Sequence, residues 1–329
     1  MELTLLELRV IIARFFTLAK VPQSFLPSAI EKIFMNKVRI IFFGSFEFAV
    51  PVLEALILAE YNVTAVVTNP DKPSSRKKIL TPPPIKIAAQ KLGLNILQPR
   101  SLKNTEFLNL LKPITYNLKP DLGIVVGYGK IIPPEIFNLP KHGTLNIHPS
   151  LLPKYRGPSP VQTAMLNGDT KTGVTIMKLD EELDHGEIVA TTNYQLPTTS
   201  SSEEAHTALF KLGAALLIKI LPDYLADKIK SQPQDHSRAT YTHKFTTEDG
   251  EIKQTDTAEQ AYNKIRALNP EPGAYIWFTK GNERKRLKIL AAELENGRLK
   301  LKKVQLEGGK PMVIKQFLVG HPKFSNILL

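Results

Sequence analysis

Val38-Arg39-Ile40-Ile41-Phe42-Phe43-Gly44 is the stretch whose reading decides the fold. Its apolar residues fall on both parities, so neither face of a strand made from it would be polar. That pattern suits a strand buried on both sides in a parallel sheet, with Gly44 ending it. Downstream, Phe48, Val52, Leu53, Leu56 and Leu58 have helical spacing. A second strand is expected at Val63–Thr68, closed by the turn-rich Asn69-Pro70-Asp71-Lys72-Pro73. Ile85–Leu92 reads as a helix, Asn95–Leu97 as a short strand and Leu122–Gly127 as a buried strand. Strands alternating with helices predict a doubly wound α/β domain with a mainly parallel, Rossmann-like sheet.

Upstream of this stretch the pattern is different. Leu5, Leu6, Leu8, Val10, Ile11, Ile12, Phe15 and Phe16 form an apolar, helix-compatible run interrupted by Arg9 and Arg14. It has no clear small-residue cleavage site, and Glu2 and Glu7 are unlike a transit peptide. Residues 1–36 are therefore set aside as an extension, arising from an upstream start or poorly packed; a peripheral membrane helix is the weaker alternative. No run is long and apolar enough to span a bilayer.

After about residue 220 the chain changes character. Pro222 and Ser231-Gln232-Pro233-Gln234-Asp235-His236-Ser237 read as a connecting segment. A helix is expected at Ala258–Leu268, then short runs at Ala274–Phe278, Leu287–Ala291, Leu299–Val304 and Met312–Phe317. Short strands between Gly, Asn and charged turns predict a small C-terminal β-barrel, OB-like in type. The expected organisation is a catalytic domain at 37–222, a linker at 223–240 and the barrel at 241–329.

The 329 residues suffice for two cores, and 43% hydrophobic with 22% charged residues is ordinary for a globular chain. Cysteine is absent, which removes disulfides, thiolate metal sites and a cysteine nucleophile together. The seven histidines include no His-x-x-x-His spacing, so no metal is expected. A net charge of +12 favours a polyanionic partner, although a basic protein without one has the same charge. Lys280, Arg284, Lys285, Arg286, Lys288, Lys300, Lys302 and Lys303 gather around the C-terminal hairpins, either as an RNA contact or as a solvated lysine face.

Gly44-Ser45-Phe46-Glu47 does not complete a dinucleotide fingerprint, and no phosphate-binding loop is present. The chemistry concentrates instead in Asn146-Ile147-His148-Pro149-Ser150-Leu151-Leu152-Pro153. Alternation places Asn146 and His148 on one face of a strand that Pro149 ends. An amide that donates to a carbonyl oxygen, beside an imidazole that moves a proton, suits acyl transfer to an amine. A lone Asn-x-His, however, more often just closes a turn. The loop Asp180-Glu181-Glu182-Leu183-Asp184-His185-Gly186-Glu187 supplies carboxylates that could orient the ring. Chemistry alone does not choose among them.

These motifs resemble those of the formyltransferases that use 10-formyltetrahydrofolate, whose pattern is Asn-x-His-Pro-Ser-Leu-Leu-Pro followed by Asp-x-Gly-x-Asp-x-Gly. The resemblance implies Asn146, His148 and Asp184 as catalytic residues and Ser150, Leu151, Leu152 and Pro153 as the folate-contacting loop. Glu182 stands where the pattern has Gly. Within the family, Ile41 to Pro51, Asn69 to Pro73, Ile265 to Ala274 and Gly309 to Met312 are similar to the branch that formylates initiator methionyl-tRNA. That likeness implies Arg76, Lys77 and Lys78 as tRNA-binding residues, in a loop about one residue shorter than usual. It further implies 10-formyltetrahydrofolate as co-substrate, no metal, and a cytoplasmic monomer without stable membrane association. The alternatives are a formyltransferase for glycinamide ribotide or an amino-sugar nucleotide, and a non-catalytic RNA-binding protein.

Overall fold

The computed structural model describes residues 38–74, 79–103, 120–280, 283–322, 324 and 327–328. The extension at 1–36 and the triplet Arg76, Lys77 and Lys78 lie outside the described residues. The described residues form two compact units, one within residues 38–153, 173–192 and 207–238, the other within 154–172, 193–206 and 239–328.

In the first unit, β1 (Arg39–Gly44) is followed by α1 (Val50–Leu58) and β2 (Asn62–Val67). A short antiparallel hairpin, β3 (Lys72–Ser74) and β4 (Ile79–Thr81), flanks residues 75–78. Then come α2 (Pro84–Lys91), β5 (Ile96–Leu97), β6 (Leu122–Val126), α3 (Pro134–Phe137) and β7 (Thr144–His148). Beyond α4 (Pro160–Leu166), which belongs to the second unit, the strands β8 (Lys171–Lys178) and β9 (Ile188–Gln195) precede the long helix α5 (Ser202–Leu225).

Among the described residues the main sheet has seven strands in the order β5-β2-β1-β6-β7-β8-β9. The pairs β2–β5, β1–β2, β1–β6 and β6–β7 are parallel, while β7–β8 is antiparallel. Phe42 and Phe43, which point to opposite faces, are 0% and 1% exposed, so both sides of β1 are covered as the apolar run requires. One face packs Ile41, Phe43, Val67 and Val125 against Ile136 and Phe137 of α3. The other receives α5, whose Gly213 approaches so closely that a Cβ there would stand 2.8 Å from Ile147. Ile147 thus turns toward the helix, and its neighbours Asn146 and His148 turn the opposite way.

The second unit contains α6 (Ala258–Leu268), opened by a reciprocal capping box. Thr257 Oγ1 accepts from the Gln260 amide at 3.1 Å, and Gln260 Oε1 accepts from the Thr257 amide at 2.8 Å. Among the described residues five strands follow: β10 (Tyr275–Lys280), β11 (Glu283–Glu295), β12 (Arg298–Leu306), β13 (Met312–Val313) and, after α7 (Ile314–Gly320), β14 (Ile327–Leu328). They form an antiparallel sheet in the order β10-β11-β12-β13, with β14 also pairing with β12. Ala261, Ile265, Leu287, Ile289, Leu301 and Phe317 share its core.

Two elements depart from expectation. Met312–Phe317, read as a strand, is a two-residue strand that turns into α7. Ile314 and Phe317, three apart, both reach the core from that helical turn, so packing overrides the β-propensity of Val313 and Ile314. Pro222 does not open a connecting segment; it lies within the last turn of α5.

Candidate active site

The site is built at the carboxyl end of β7. Asn146 sits between Val125 of β6 and Met177 of β8, and His148 pairs with Thr175 of β8. Pro149 cannot donate to a ladder, so the strand stops with His148 at its tip. His148 is 4% exposed. The buried imidazole stands at a strand end, on the face opposite α5.

The carboxylate comes from the loop between β8 and β9. Asp184 Oδ1 accepts from Asn146 Nδ2 at 3.3 Å, and Oδ2 lies 3.6 Å from His148 Nδ1. One carboxylate therefore faces both residues of the Asn-x-His pair. The other acids of the loop point elsewhere: Asp180 lies 2.6 Å from His185 Nδ1, Glu187 pairs with Lys178 and Ser231, and Glu182 is turned to solvent. Asp184 is thus singled out by position, where composition left the choice open. Glu182, in the place of the family's Gly, leaves the contacts of Asp184 in place.

Two glycines shape these loops. A Cβ on Gly186 would collide with the carbonyl of Lys178, so the turn after Asp184 closes against β8 only with glycine. A Cβ on Gly173 would collide with the Thr192 carbonyl and with Leu151, which lies against β8 at that point.

The segment Ser150–Pro153 is held by Thr175, which is fully buried. Its hydroxyl donates to the Ser150 carbonyl at 2.7 Å and accepts from the Leu152 amide at 3.1 Å. Ser150 N in turn donates to the His148 carbonyl at 2.9 Å, joining the loop to the strand tip. Asn146, His148, Asp184 and Ser150–Pro153 all belong to the first unit, so these expected site residues are brought together. The basic triplet at 76–78 lies outside the described residues, but the base of its hairpin is braced. Asp71 accepts from Lys86 Nζ at 2.8 Å and from Gln98 Nε2 at 2.7 Å. Gln98 and then Lys86 hold its carboxyl below the usual carboxylate range.

Sequence reasoning missed Thr175 and Gln234. Thr175 lies on β8, a strand absent from the sequence-based expectations. Gln234 lies in the expected linker, yet it is buried and donates to the carbonyls of Asp184 and Gly186. A glutamine bounded by prolines, serines and charges has no sequence signal for such a role.

Among the described residues no cluster of three His, Asp or Glu side chains is arranged to hold a metal, and no helix is long and apolar enough to cross a membrane. One face of the C-terminal sheet has a different chemistry. Across β10–β11, Trp277 pairs with Arg286, Thr279 with Arg284 and Tyr275 with Lys288, placing the exposed Trp277, the buried Tyr275 and three cations on one face. The Arg284 guanidinium lies 4.4 Å from the Trp277 ring centre.

The model of the formyl transferase family matches residues 36–221, and that of the formyl transferase C-terminal domain matches residues 244–298. The chain is 46% identical over 240 residues to the methionyl-tRNA formyltransferase of Chloroflexus aggregans, covering 73% of this chain and 76% of that protein. It is 38% identical over 319 residues to that of Syntrophus aciditrophicus, covering 90% of this chain and all (100%) of the relative. The solved methionyl-tRNA formyltransferase from Clostridium thermocellum shares the fold, with a TM-score of 0.55, 21% identity, and coverage of 82% of this chain and 98% of that one.

Proposed function

Because the chain belongs to the formyl transferase family, we propose that it transfers the formyl group of 10-formyltetrahydrofolate to the α-amine of methionyl initiator tRNA. The observation that carries the chemistry is the single carboxylate of Asp184 facing both Asn146 and His148 at the strand tip. The likeness to methionyl-tRNA formyltransferases along most of the chain supports the choice of acceptor.

In this reading the amine attacks the formyl carbon, the new carbon–nitrogen bond forms, and the bond to the folate nitrogen breaks. The Asn146 amide and the His148 ring donate to the formyl oxygen as it gains charge. With Nδ1 turned toward Asp184, the Nε2 atom of His148 is the one that faces the reacting group. Asp184 orients the ring and takes part in moving the proton that the amine loses toward the departing folate nitrogen. Ser150–Pro153, fastened by Thr175, offers backbone groups to the folate. No covalent enzyme intermediate is needed, in keeping with a chain that has no cysteine.

Residues 37–222 serve as the catalytic domain and 241–329 as a tRNA-binding domain. Arg76, Lys77 and Lys78 contact the acceptor end, and the cationic face with Arg284, Arg286 and Lys288 contacts phosphates elsewhere. The protein acts as a monomer. The test is formyl transfer to charged initiator tRNA, with glycinamide ribotide and an amino-sugar nucleotide as competing acceptors. Transfer to either of these, and none to the tRNA, overturns the proposal.

A further inference from the structure

Residues 231–236 lie along residues 184–188 by an almost continuous set of contacts. Gln232 and Ile188 exchange both backbone hydrogen bonds, each at 2.8 Å. The Ser231 hydroxyl donates to the Glu187 carboxylate. His236 stacks on His185, the ring centres 4.0 Å apart and the planes within 6°. At the centre is Gln234, only 5% exposed, whose Nε2 donates to the Asp184 carbonyl at 2.9 Å and the Gly186 carbonyl at 2.8 Å. An amide nitrogen has two hydrogens, and these two carbonyls engage both.

The held residue is unusual. Asp184 has φ of +48°, a left-handed conformation that a residue with a side chain seldom adopts unless its surroundings impose it. In that conformation its carbonyl points to Gln234 while its carboxylate points to Asn146 and His148. The carbonyl contact and the carboxylate contacts are therefore two ends of one backbone geometry. Without the amide, the Asp184 carbonyl would be left without this donor, and an ordinary negative φ would swing the carboxylate away from the pair.

We propose that Gln234 is a positioning residue for formyl transfer, acting through the carbonyls of Asp184 and Gly186 to hold the Asp184 carboxylate against Asn146 and His148. The inference rests on the reading of Asp184 as part of the reacting cluster. Both donors of Gln234 go to backbone carbonyls of the loop that carries Asp184, so its effect on the reaction is expected at Asp184.

The experiment uses the full chain with Gln234→Glu, nearly the same shape without the donors at neutral pH, and Gln234→Ala. Each is made alone and in an Asp184→Asn background. Misplacing a reacting group by about 1 Å costs on the order of 10²-fold, so kcat for methionyl-tRNA formylation is expected to fall by about that factor, with KM for 10-formyltetrahydrofolate nearly unchanged. In the Asp184→Asn background the same substitutions add little, because the carboxylate they would displace is gone. In isotope-labelled protein the His148 ring signals move in the same direction for the Gln234 variants as for Asp184→Asn. Full kcat, an equal loss in both backgrounds, or unmoved His148 signals in a folded variant overturns the proposal. If the wild-type chain formylates no tRNA, the functional reading fails, while the His148 signals still decide the role of Gln234.

Discussion

His148 ends the strand β7 and Asp184 lies in the loop between β8 and β9, yet Nδ1 of one stands 3.6 Å from Oδ2 of the other. That separation is too long for a good hydrogen bond but within ion-pair range. The carboxylate's second oxygen meets Asn146 at 3.3 Å, so its place is set by two partners. Asp184→Asn keeps the shape and removes the charge. Steady-state formylation assays are expected to show kcat lower by about 10²–10³-fold, as for loss of one preorganised group. His148→Ala should lose as much while binding tRNA as the wild type does, measured by filter retention.

Gly186→Ala tests the turn that delivers Asp184. The added methyl collides with the Lys178 carbonyl, a backbone atom that cannot rotate aside. The loop must shift, and kcat is expected to fall at least tenfold (about 1.4 kcal/mol) while tRNA affinity is retained. Equal kcat for variant and wild type would show that the loop tolerates displacement.

Thr175→Val removes the hydroxyl that fastens Ser150 and Leu152 and keeps the side-chain volume. Two backbone groups lose their partner in a buried place, costing about 1–3 kcal/mol of stability. Because that hydroxyl holds the segment proposed to contact the folate, the kinetic effect is expected in KM for 10-formyltetrahydrofolate, with kcat changed less. Thermal unfolding and initial-rate kinetics read the two effects separately.

A pH-dependent stability is expected at the other end of the sheet. Burial by itself would raise the carboxyl of Asp121, but the hydrogen bonds and charge of Arg39 outweigh it and hold the group below its ordinary value. Arg39 grips it through Nε at 3.0 Å and Nη2 at 3.1 Å, with its own backbone amide at 2.9 Å. A depressed pKa in the folded state means that the unfolded chain binds the proton more readily. The stabilisation is therefore complete above the unfolded pKa of about 3.9 and is lost as pH falls through the lower folded value. Asp121→Asn should cost about 1 kcal/mol near neutrality, allowing for partial solvent screening, and the gap from wild type should close under strong acid. Urea unfolding across that range checks the sign.

The charge of +12 and the cationic face of β10–β11 predict a steep salt dependence for tRNA binding. If six to ten phosphates are neutralised, affinity should drop on the order of 10³–10⁵-fold between about 50 and 200 mM salt. Arg284→Glu is expected to weaken binding and flatten the slope, leaving kcat at saturating tRNA near its original value. The chain's single tryptophan lies on that face, so its fluorescence reports binding there directly.

Local sequence determined much of this protein. The apolar run at Val38–Phe43 could be buried only on both faces, and the spacing at Ala258–Leu268 matched its helix residue for residue. Alternation alone placed Asn146 and His148 side by side, because the period of a strand is a local property. Resemblance to a family then selected Asp184. What sequence could not supply depended on distant packing. Val313 and Ile314 favour a strand, but the core draws Ile314 and Phe317 inward from a helical turn. The acids of the 180–187 loop are chemically alike, and only the collision that Gly186 avoids and the carbonyls that Gln234 holds turn one of them toward His148. Strand period and burial are written in neighbouring residues. The direction of a carboxylate in a loop is set by residues that meet it only once the chain has folded.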